Sequence, residues 1–327
     1  YLIIKSFRKI LETVLIVGAT GQDGAYLSKL LLEKGFKVIG TSRDASVCDT
    51  SRLQKLNVLD DIEIISLAPN DFRNVLKVIS SFNPSKIFNL SGQTSVGLSF
   101  DQPVECMDSI AGSTINFLEA LRFLKADIKF FNAGSTECFG DTYNKSATED
   151  YPFKPCSPYA VAKSTAYWLV ANYRIAYGLF CCTGILSNHE SPLRPNRFVT
   201  KKIVKQVSEI KSGLRDSLSL GNVNIHRDWG WAPEYVKAMY LMLESSTADD
   251  YIISSGSSNS LKKFVNLAFK YFDLNPEEFI KIDNSFIRPA DISYSAMNPK
   301  KILKNLGWKA EKDLDYIVKS MIENKLY

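Results

Sequence analysis

A glycine-rich turn near the start of the chain constrains the fold more than any other feature of the sequence. The segment Gly18-Ala19-Thr20-Gly21-Gln22-Asp23-Gly24 follows the β-branched run Thr13 to Val17 and opens a stretch with apolar residues at helical spacing. Its glycines suit a sharp turn, a close approach of the backbone to a pyrophosphate, and tight helix–sheet packing. The helix N-terminus then faces an anion. The residues expected to contact a dinucleotide cofactor here are Gly18, Thr20, Gly21, Gln22, Asp23 and Gly24.

The order of predicted elements indicates an α/β protein. Strands alternate with helices through Leu186, which predicts a Rossmann-type, doubly wound parallel sheet with a second, smaller substrate-binding lobe. After Leu186 the alternation breaks: Asn188 to Arg197 suits a loop, and Tyr251 to Ser254 is expected to return to the sheet. We therefore expect a cofactor-binding domain of residues 11–186 plus about 226–256. Residues 187–225 plus 257–327 would form the second lobe.

Charge and cysteine usage exclude several functions. The chain has 40 Lys and Arg against 35 Asp and Glu, an excess too small and scattered to predict nucleic-acid binding. Six cysteines form no C-x-x-C pair and only two histidines exist, so no metal site is expected. No apolar run approaches the roughly 18 residues that span a bilayer, so no membrane partner is expected. Free thiols without a secretory signal favour the cytoplasm.

The choice of cofactor depends on the residues that follow the second strand. Arg43 is placed to hold a ribose 2′-phosphate, which favours NADP. The neighbouring Asp44 offers an acceptor for a free 2′-hydroxyl, which would favour NAD. We expect NADP.

A Tyr-x-x-x-Lys pair on a predicted helix indicates acid–base chemistry. The spacing of Tyr159 and Lys163 puts both side chains on one helix face. Lys163 would hold the nicotinamide ribose and lower the pKa of the Tyr159 phenol toward neutrality. The predicted strand Ile128 to Asn132 leads to Ser135, a hydroxyl for a sugar oxygen. Together with the glycine turn, this set resembles the extended short-chain dehydrogenase/reductase family.

Further segments resemble one branch of that family, the GDP-mannose 4,6-dehydratases, over residues of about 13 to 327. These segments are Asn188-His189-Glu190-Ser191-Pro192, Phe198 to Ile203, and Arg227-Asp228-Trp229-Gly230. Glu137, two residues past Ser135, resembles the carboxylate that removes a carbon-bound proton in sugar-nucleotide 4,6-dehydratases. The resemblance implies an NADP-dependent hydro-lyase that converts GDP-mannose to GDP-4-keto-6-deoxymannose.

The resemblance also assigns roles to residues. The catalytic residues it implies are Ser135, Glu137, Tyr159 and Lys163. At the cofactor, Leu90 and His189 would join Arg43, Tyr159, Lys163 and the glycine turn. The substrate-binding residues it implies are Gln93, Ser95, Asn188, Glu190, Lys202, Arg227 and Arg288.

Departures from the family pattern leave alternatives open. The family usually has two adjacent arginines where this chain has Arg43 and Asp44, and Leu193 replaces the first of two arginines whose second is Arg194. These changes leave room for a related sugar such as GDP-heptose. A second hypothesis is that the enzyme is a GDP-keto-sugar 4-reductase or epimerase. The presence of Glu137 argues against this hypothesis. A third hypothesis is a non-catalytic NADP-binding regulatory protein. The presence of Ser135, Tyr159 and Lys163 argues against it.

Two predicted helices indicate self-association. Ile110 to Leu124 and Ser164 to Tyr177 carry more apolar and aromatic surface than one sheet face can cover. The related enzymes pair these helices across a two-fold axis, so we expect a homodimer or a homotetramer. The loss of the second arginine at Asp44 slightly favours the dimer.

Overall fold

A seven-stranded parallel sheet forms the centre of the molecule. The computed structural model describes residues 11–286 and 289–327. The strands of this part are β1 Thr13–Val17, β2 Lys37–Ser42, β3 Glu63–Ser66, β4 Lys86–Asn89, β5 Lys129–Ala133, β6 Cys181–Leu186, β7 Asn188–Glu190, β8 Leu218–Leu220, β9 His226–Trp231, β10 Tyr251–Ile253, β11 Ser258–Ser260 and β12 Ile280–Ile282. The central sheet has the order β10-β6-β5-β4-β1-β2-β3. The predicted Rossmann-type architecture is therefore confirmed.

Helices cover both faces of this sheet and build the second lobe. They are α1 Gln22–Glu33, α2 Ser51–Lys55, α3 Phe72–Phe82, α4 Val96–Asp101, α5 Pro103–Met107, α6 Ser113–Leu124, α7 Pro158–Tyr177, α8 Val199–Lys211, α9 Ala232–Glu244, α10 Leu261–Tyr271, α11 Lys300–Leu306 and α12 Leu314–Ile322. A short 3-10 helix, Thr136–Phe139, follows β5. The sheet order places β1 beside β4, where the winding direction reverses and a doubly wound sheet binds its ligands.

Alternating residues of the sheet fill two apolar layers. Val14 and Ile16 of β1 pack with residues of α1 and α9. Leu15 and Val17 pack on the opposite face with residues of α3, α6 and α7. This division follows from the strand geometry, because successive side chains point to opposite faces. Because both faces of the central sheet are covered, its strands consist of continuous runs of apolar residues.

The second lobe has its own apolar core around α8, α10 and α12. Trp229 and Trp231 of β9 lie in this core, and β9 forms a small sheet in the order β11-β9-β7. This small sheet joins strands from both predicted domains, whose exact boundaries stay a prediction. The expectation of a loop over Asn188 to Arg197 is wrong for its first three residues. They pair in parallel with β9, and so short a polar strand carries no periodic signal.

The predicted helix Ile110 to Leu124 is interrupted at its start. A π-helical turn occupies Asp108–Gly112 and α6 begins at Ser113. The hydroxyls of Ser113 and Thr114 both donate to the Ile110 carbonyl oxygen, at 3.0 and 2.7 Å. Such side-chain bonds compete with the helical backbone pattern, which accounts for the wider turn.

The chain returns to the central sheet as expected. Tyr251–Ile253 pairs in parallel with residues 184–186 of β6, so the first part of the second lobe lies in the sequence between two strands that are neighbours in the sheet. Within the described residues, no helix has the length and apolar character needed to cross a membrane. The six cysteines are all unpaired. A cytoplasmic location stays a prediction.

Candidate active site

The glycine-rich turn has the conformation that an anion-binding turn requires. Gly18 has a φ of 87°, in the left-handed region that favours glycine. A Cβ atom on Gly24 would lie 2.3 Å from the carbonyl oxygen of Gly18. Gly21 is the N-cap residue of α1, and no side chain caps the first N–H groups of this helix. These N–H groups therefore remain for an anion, and the turn fits the pyrophosphate of a dinucleotide.

Two charged residues follow β2: the cation Arg43 and the carboxylate of Asp44, which is hydrogen-bonded within its own turn. The Arg43 side chain is 86% exposed, with its Nη1 atom 3.9 Å from Oε1 of Glu105. Asp44 Oδ1 accepts hydrogen bonds from the hydroxyl and the backbone N–H of Ser46, at 2.6 and 2.9 Å. These bonds lower the pKa of Asp44. Arg43 is thus available to a ligand, whereas Asp44 closes its own turn.

A cavity of about 600 Å³ opens at the carboxyl ends of the strands, between the sheet and the second lobe. The predicted site residues that line it are Asp23, Leu90, Ser95, Ser135, Glu137, Tyr159, Lys163, Asn188, His189, Glu190, Lys202 and Arg227. The predicted residues outside this lining are Gly18, Thr20, Gly21, Gln22, Gly24, Arg43 and Gln93. Arg288 lies outside the described residues.

Gln93 is used within its own loop. Its side-chain amide donates to the carbonyl oxygen of Ser95 at 2.8 Å and accepts from the Ser95 N–H at 2.7 Å. The Gln93 backbone N–H donates to the hydroxyl of Ser109, which lies in the π-helical turn before α6. Gln93 thus shapes the loop that brings Ser95 to the cavity.

The four predicted catalytic residues come from two neighbouring elements. Ser135 is the N-cap of the 3-10 helix, and its hydroxyl accepts the Glu137 backbone N–H at 3.2 Å. Ser157 caps α7 through the backbone N–H of Ala160, which places Tyr159 in the first helical turn. The Nζ atom of Lys163, one turn later, donates to the carbonyl oxygen of Ala133 at 2.6 Å. The end of β5 and the start of α7 therefore bring the predicted set together.

Burial controls the acid–base properties of the Tyr–Lys pair. It raises the pKa of Tyr159, and the hydrogen bond with the Ser135 hydroxyl offsets only part of that rise. Burial also lowers the pKa of Lys163 to about 8. The pKa of Tyr159 thus shifts in the direction opposite to the one expected from Lys163, and the catalytic role of the pair stays a prediction. The physical reason is that the ammonium group bonds the Ala133 carbonyl and lies 5.8 Å from the centroid of the phenol ring.

The carboxylate of Glu190 forms an ion pair with Arg194 inside the protein. Its Oε2 atom accepts the Thr200 hydroxyl at 2.6 Å and lies 3.2 Å from Nε of Arg194. The Arg194 guanidinium in turn lies over the ring of Phe198, 3.7 Å from its centroid. Glu190 is almost fully buried, so its carboxylate needs these partners. It faces the cavity as part of a pair rather than as a free acceptor.

The cavity is also lined by an aromatic ring that the sequence analysis did not single out. This ring belongs to Phe286, and its centroid lies 3.7 Å from Nζ of Lys202. Lys202 also donates to the carbonyl oxygen of Ser219 at 2.8 Å. A ring beside a cation suits the planar base of a nucleotide. No sequence signal distinguishes Phe286 from other loop aromatics.

Five side-chain contacts join the glycine-rich turn to β7 and the loop that follows it, two of them through a side chain of α2; we call these contacts the seam. Nε2 of His189 lies 2.9 Å from Oδ2 of Asp23, and the Ser191 hydroxyl donates to the Gln22 side chain at 2.8 Å. Gln22 also donates to the His189 carbonyl oxygen at 3.2 Å. Arg52 of α2 makes the last two contacts, because it donates to the carbonyl oxygens of Thr20 and Leu193. The seam therefore connects the glycine-rich turn to the segment that begins with β7.

The ion pair in the seam favours the charged form of both partners. Burial disfavours the charged form of His189, but the Asp23 carboxylate outweighs it and raises the pKa of His189. Burial likewise opposes ionisation of Asp23, yet His189 lowers the pKa of Asp23. Arg52, which the sequence reading missed, has no motif around it, since its partners are backbone carbonyls far along the chain.

Comparison with known proteins gives one consistent family. A family model described as GDP-mannose 4,6 dehydratase matches residues 15–321. The chain is 39% identical to GDP-mannose 4,6 dehydratase 1 of Arabidopsis thaliana, over 96% of this chain and 90% of that protein. It is 34% identical to GDP-mannose 4,6-dehydratase of Vibrio cholerae serotype O1, over 96% of this chain and 94% of that protein.

Solved structures share the fold at lower sequence identity. A dTDP-glucose 4,6-dehydratase from Streptomyces venezuelae with NAD and TYD bound gives a TM-score of 0.83 at 17% identity, over 96% of this chain and 98% of that chain. A UDP-glucose 4-epimerase from Thermotoga maritima with UDP-glucose gives 0.84 at 19% identity, over 95% and 98%. These likenesses establish the architecture of both lobes.

Proposed function

The chain belongs to the GDP-mannose 4,6-dehydratase family, and we propose that it is a hydro-lyase that converts GDP-mannose to GDP-4-keto-6-deoxymannose. The observation that carries this proposal is that the Glu137 carboxylate lines the same cavity as Ser135, Tyr159 and Lys163. Oxidation and reduction of a sugar hydroxyl require the hydroxyl, phenol and ammonium groups. Elimination of water requires in addition a base for a carbon-bound proton, and Glu137 supplies it.

The residues divide the reaction between two carbon atoms of the sugar. Tyr159 takes the proton of the C4 hydroxyl, while the Ser135 hydroxyl holds the same oxygen. The turn at Gly18 to Gly24 and Lys163 would hold a nicotinamide dinucleotide, which would supply a hydride acceptor for C4 and a hydride donor for C6. Glu137 removes the C5 proton, which the neighbouring ketone has made acidic, and passes it to the C6 hydroxyl, which leaves as water. The proton taken up by Tyr159 then goes to C5, so the net change is the loss of one water.

A nicotinamide cofactor follows from the family and from the turn at Gly18 to Gly24, and we propose NADP as its form. Two observations support this choice. Arg43 is exposed at the end of β2 with only a long ion pair to Glu105, so its guanidinium can meet a 2′-phosphate. Asp44 accepts two hydrogen bonds from Ser46, which reduces its capacity for a 2′-hydroxyl.

We also propose that the protein is a homodimer formed through α6 and α7. Large apolar side chains project from both helices: Phe123 is 67% exposed, Trp168 61% and Ile175 83%. Exposed apolar side chains of this size favour association, and a contact between these helices and the same helices of a second copy is two-fold symmetric. A homotetramer is the alternative arrangement.

The test of the function is incubation of the purified chain with GDP-mannose and NADP. We expect a keto product lighter than the substrate by one water, with no net change in nicotinamide absorbance. Net consumption of NADPH on a keto sugar would favour the reductase alternative. If a product formed from GDP-heptose but not from GDP-mannose, the substrate would be GDP-heptose. Tight binding of NADP without turnover on either sugar would favour a regulatory protein.

A further inference from the structure

One arginine on the wall of the cavity has no role in the motifs that resemble the family. Arg197 lies between Asn188 to Pro192 and Phe198 to Ile203, two of the segments that carry the resemblance. The side chain of Arg197 lines the cavity, and the residue is exposed to solvent. It therefore lies at the mouth of the cavity, where a ligand enters.

Arg197 differs from the other described arginines of this wall in its lack of a carboxylate partner. The Nε atom of Arg194 lies 3.2 Å from Oε2 of Glu190. The Nε atom of Arg227 lies 3.8 Å from Oε1 of Glu137. Within residues 11–286 and 289–327, no Asp or Glu side chain forms an ion pair with Arg197 or shifts its pKa. This part of the chain therefore leaves the charge of Arg197 unmatched.

Uncharged partners hold the guanidinium group of Arg197. Its Nη2 atom donates to the hydroxyl of Thr94 at 3.0 Å, and Thr94, on the loop after β4, also lines the cavity. Its guanidinium carbon lies 5.1 Å from the centroid of the Phe198 ring. These contacts orient the group without neutralising its charge, and the hydrogen bond uses only one of its N–H groups. The group can therefore keep Thr94 as a partner and still bind an anion.

The surroundings of Arg197 are positively charged. Its pKa is lowered first by partial burial and then by the charges of Arg194 and Arg52. Arg52 has a carboxylate of its own, since its Nη1 atom lies 3.7 Å from Oδ2 of Asp49. The unmatched charge of these three arginines is therefore on Arg197. A positive potential at the mouth attracts anions into the cavity.

We propose that Arg197 is a substrate-binding residue whose guanidinium group contacts the diphosphate of the nucleotide sugar. This inference rests on the proposed function and adds a residue to which the family resemblance assigns no role. Phosphate oxygens match the planar array of N–H groups of an arginine. The cofactor brings a second diphosphate, but the uncapped N–H groups after Gly21 suit that one. Arg197 instead directly precedes the segment that contains Lys202, which is predicted to bind the substrate.

The test measures the binding of GDP to the NADP-saturated protein by calorimetry. For Arg197→Gln, we expect the affinity for GDP to fall by about 10–100-fold, the effect of one lost charge-assisted contact. The affinity should also depend less on salt, because one charge fewer attracts GDP. Arg197→Lys keeps the charge but lacks the planar group, so it should restore part of the affinity. Arg215→Gln, which breaks an exposed pair with Glu209, is the matched control.

Two further measurements separate this role from its alternatives. Thr94→Val removes the hydroxyl but keeps the shape of the side chain, so GDP binding should be nearly unchanged. An equal loss in Thr94→Val and Arg197→Gln would overturn the proposal, because the bond between the two loops would then account for the effect. A loss of NADP affinity in Arg197→Gln that exceeds the loss of GDP affinity would also overturn it and assign Arg197 to the cofactor.

The remaining outcomes distinguish this proposal from the proposed function. The proposal fails if the unchanged protein does not bind GDP, or if Arg197→Gln binds GDP as tightly as Arg215→Gln does. If GDP binding shows the expected losses but the unchanged protein forms no keto product from GDP-mannose, the proposed function is refuted and the role of Arg197 in diphosphate binding stands.

Discussion

At the scale of single residues, the role of Glu137 is the most direct test of the mechanism. Replacing it with Gln preserves the size of the side chain but removes the base. We expect Glu137→Gln to lower turnover of GDP-mannose by about 10²–10⁴-fold and to leave GDP binding nearly unchanged. Initial rates and calorimetry measure the two effects. Glu209→Gln is a control at an exposed carboxylate on α8, and near-normal turnover in Glu137→Gln would show that another group removes the proton.

A second residue-scale prediction concerns cofactor selection by Arg43. Its guanidinium is the exposed cation at the end of β2. Loss of a charge-assisted bond in Arg43→Ala should weaken NADP binding by about 1.5–3 kcal/mol and change NAD binding little. Dissociation constants for both cofactors, with Arg215→Ala as the control, measure the difference. An equal loss for both cofactors would remove Arg43 from the selection, and a preference of the unchanged protein for NAD would implicate Asp44.

The ion pair between His189 and Asp23 predicts how stability depends on pH. The pKa of His189 is raised from 6.5, so its contribution is complete below pH 6.5 and is lost as the pH rises through the raised value. The pKa of Asp23 is lowered from 3.8, so its contribution is complete above pH 3.8 and is lost as the pH falls through the lowered value. The pair therefore stabilises the fold most between these two ordinary values.

Asp23→Asn tests this dependence. The difference in free energy of unfolding between the protein and this variant should be largest at mildly acidic pH and should shrink at alkaline pH. Titration by NMR is simple because the sequence has only two histidines, and His226→Gln assigns the signals. We expect the pKa of His189 to fall in Asp23→Asn. If His189 titrated below 6.5 in the unchanged protein, the pair would not be charged as described.

At the scale of elements, the join between β1 and α1 depends on Gly24. A methyl group there would clash with the Gly18 carbonyl oxygen, and neither backbone segment can move without opening the turn. We expect Gly24→Ala to cost about 1–3 kcal/mol of stability or more and to weaken binding of the cofactor. Gly112→Ala is the matched control, because the nearest atom to its new methyl group would be 4.0 Å away. Urea unfolding of both variants measures the contrast; an equal cost would contradict the steric argument.

The elements that sequence reasoning found are those with long-range periodicity. Strands β1 to β6 and helix α7 could be predicted because apolar spacing and glycine punctuation mark them over many residues. The three-residue strand β7 could not, since its pairing with β9 depends on a contact 41 positions away. The π-helical turn depends on local hydroxyl bonds at Ser113 and Thr114, which no spacing pattern reports.

In the candidate site, too, the features marked by local sequence patterns could be predicted, and those that depend on distant contacts could not. The glycine turn, the Tyr159–Lys163 spacing and Ser135 with Glu137 could be read from short motifs, because each lies within one turn or helix. The pairing of Glu137 with Arg227 joins residues 90 positions apart and needs the folded chain. The direction of the pKa shift of Tyr159 depends on burial by the whole lobe, which residue spacing does not contain.

At the scale of the whole molecule, the exposed apolar patch on α6 and α7 predicts the mass in solution. We expect a dimer of the 36.7 kDa chain at micromolar concentration. Ile175→Glu places a charge in the patch and should shift the mass toward the monomer, because an unpaired buried charge opposes association. Leu214→Glu, at a residue that is 80% exposed outside these helices, should leave the mass unchanged. Light scattering decides between these outcomes.

Light scattering also gives the number of subunits in the assembly. A mass near the monomer for the unchanged protein would contradict the proposed interface. A mass near four times that of the chain would show that Asp44, in place of the family's second arginine, does not prevent tetramer formation.

The return of β10 to the central sheet has a consequence for how the chain folds. Strand β6 gains its outer neighbour only when residues 251–253 pair with residues 184–186, after α8 and α9 have been made. Until then β6 is an unprotected edge with apolar side chains, the kind of surface on which partly folded chains aggregate. Nascent chains therefore pass through a vulnerable stage whose length depends on the synthesis of residues 187–253, which comprise β10 and the segment that separates it from β6 in the sequence.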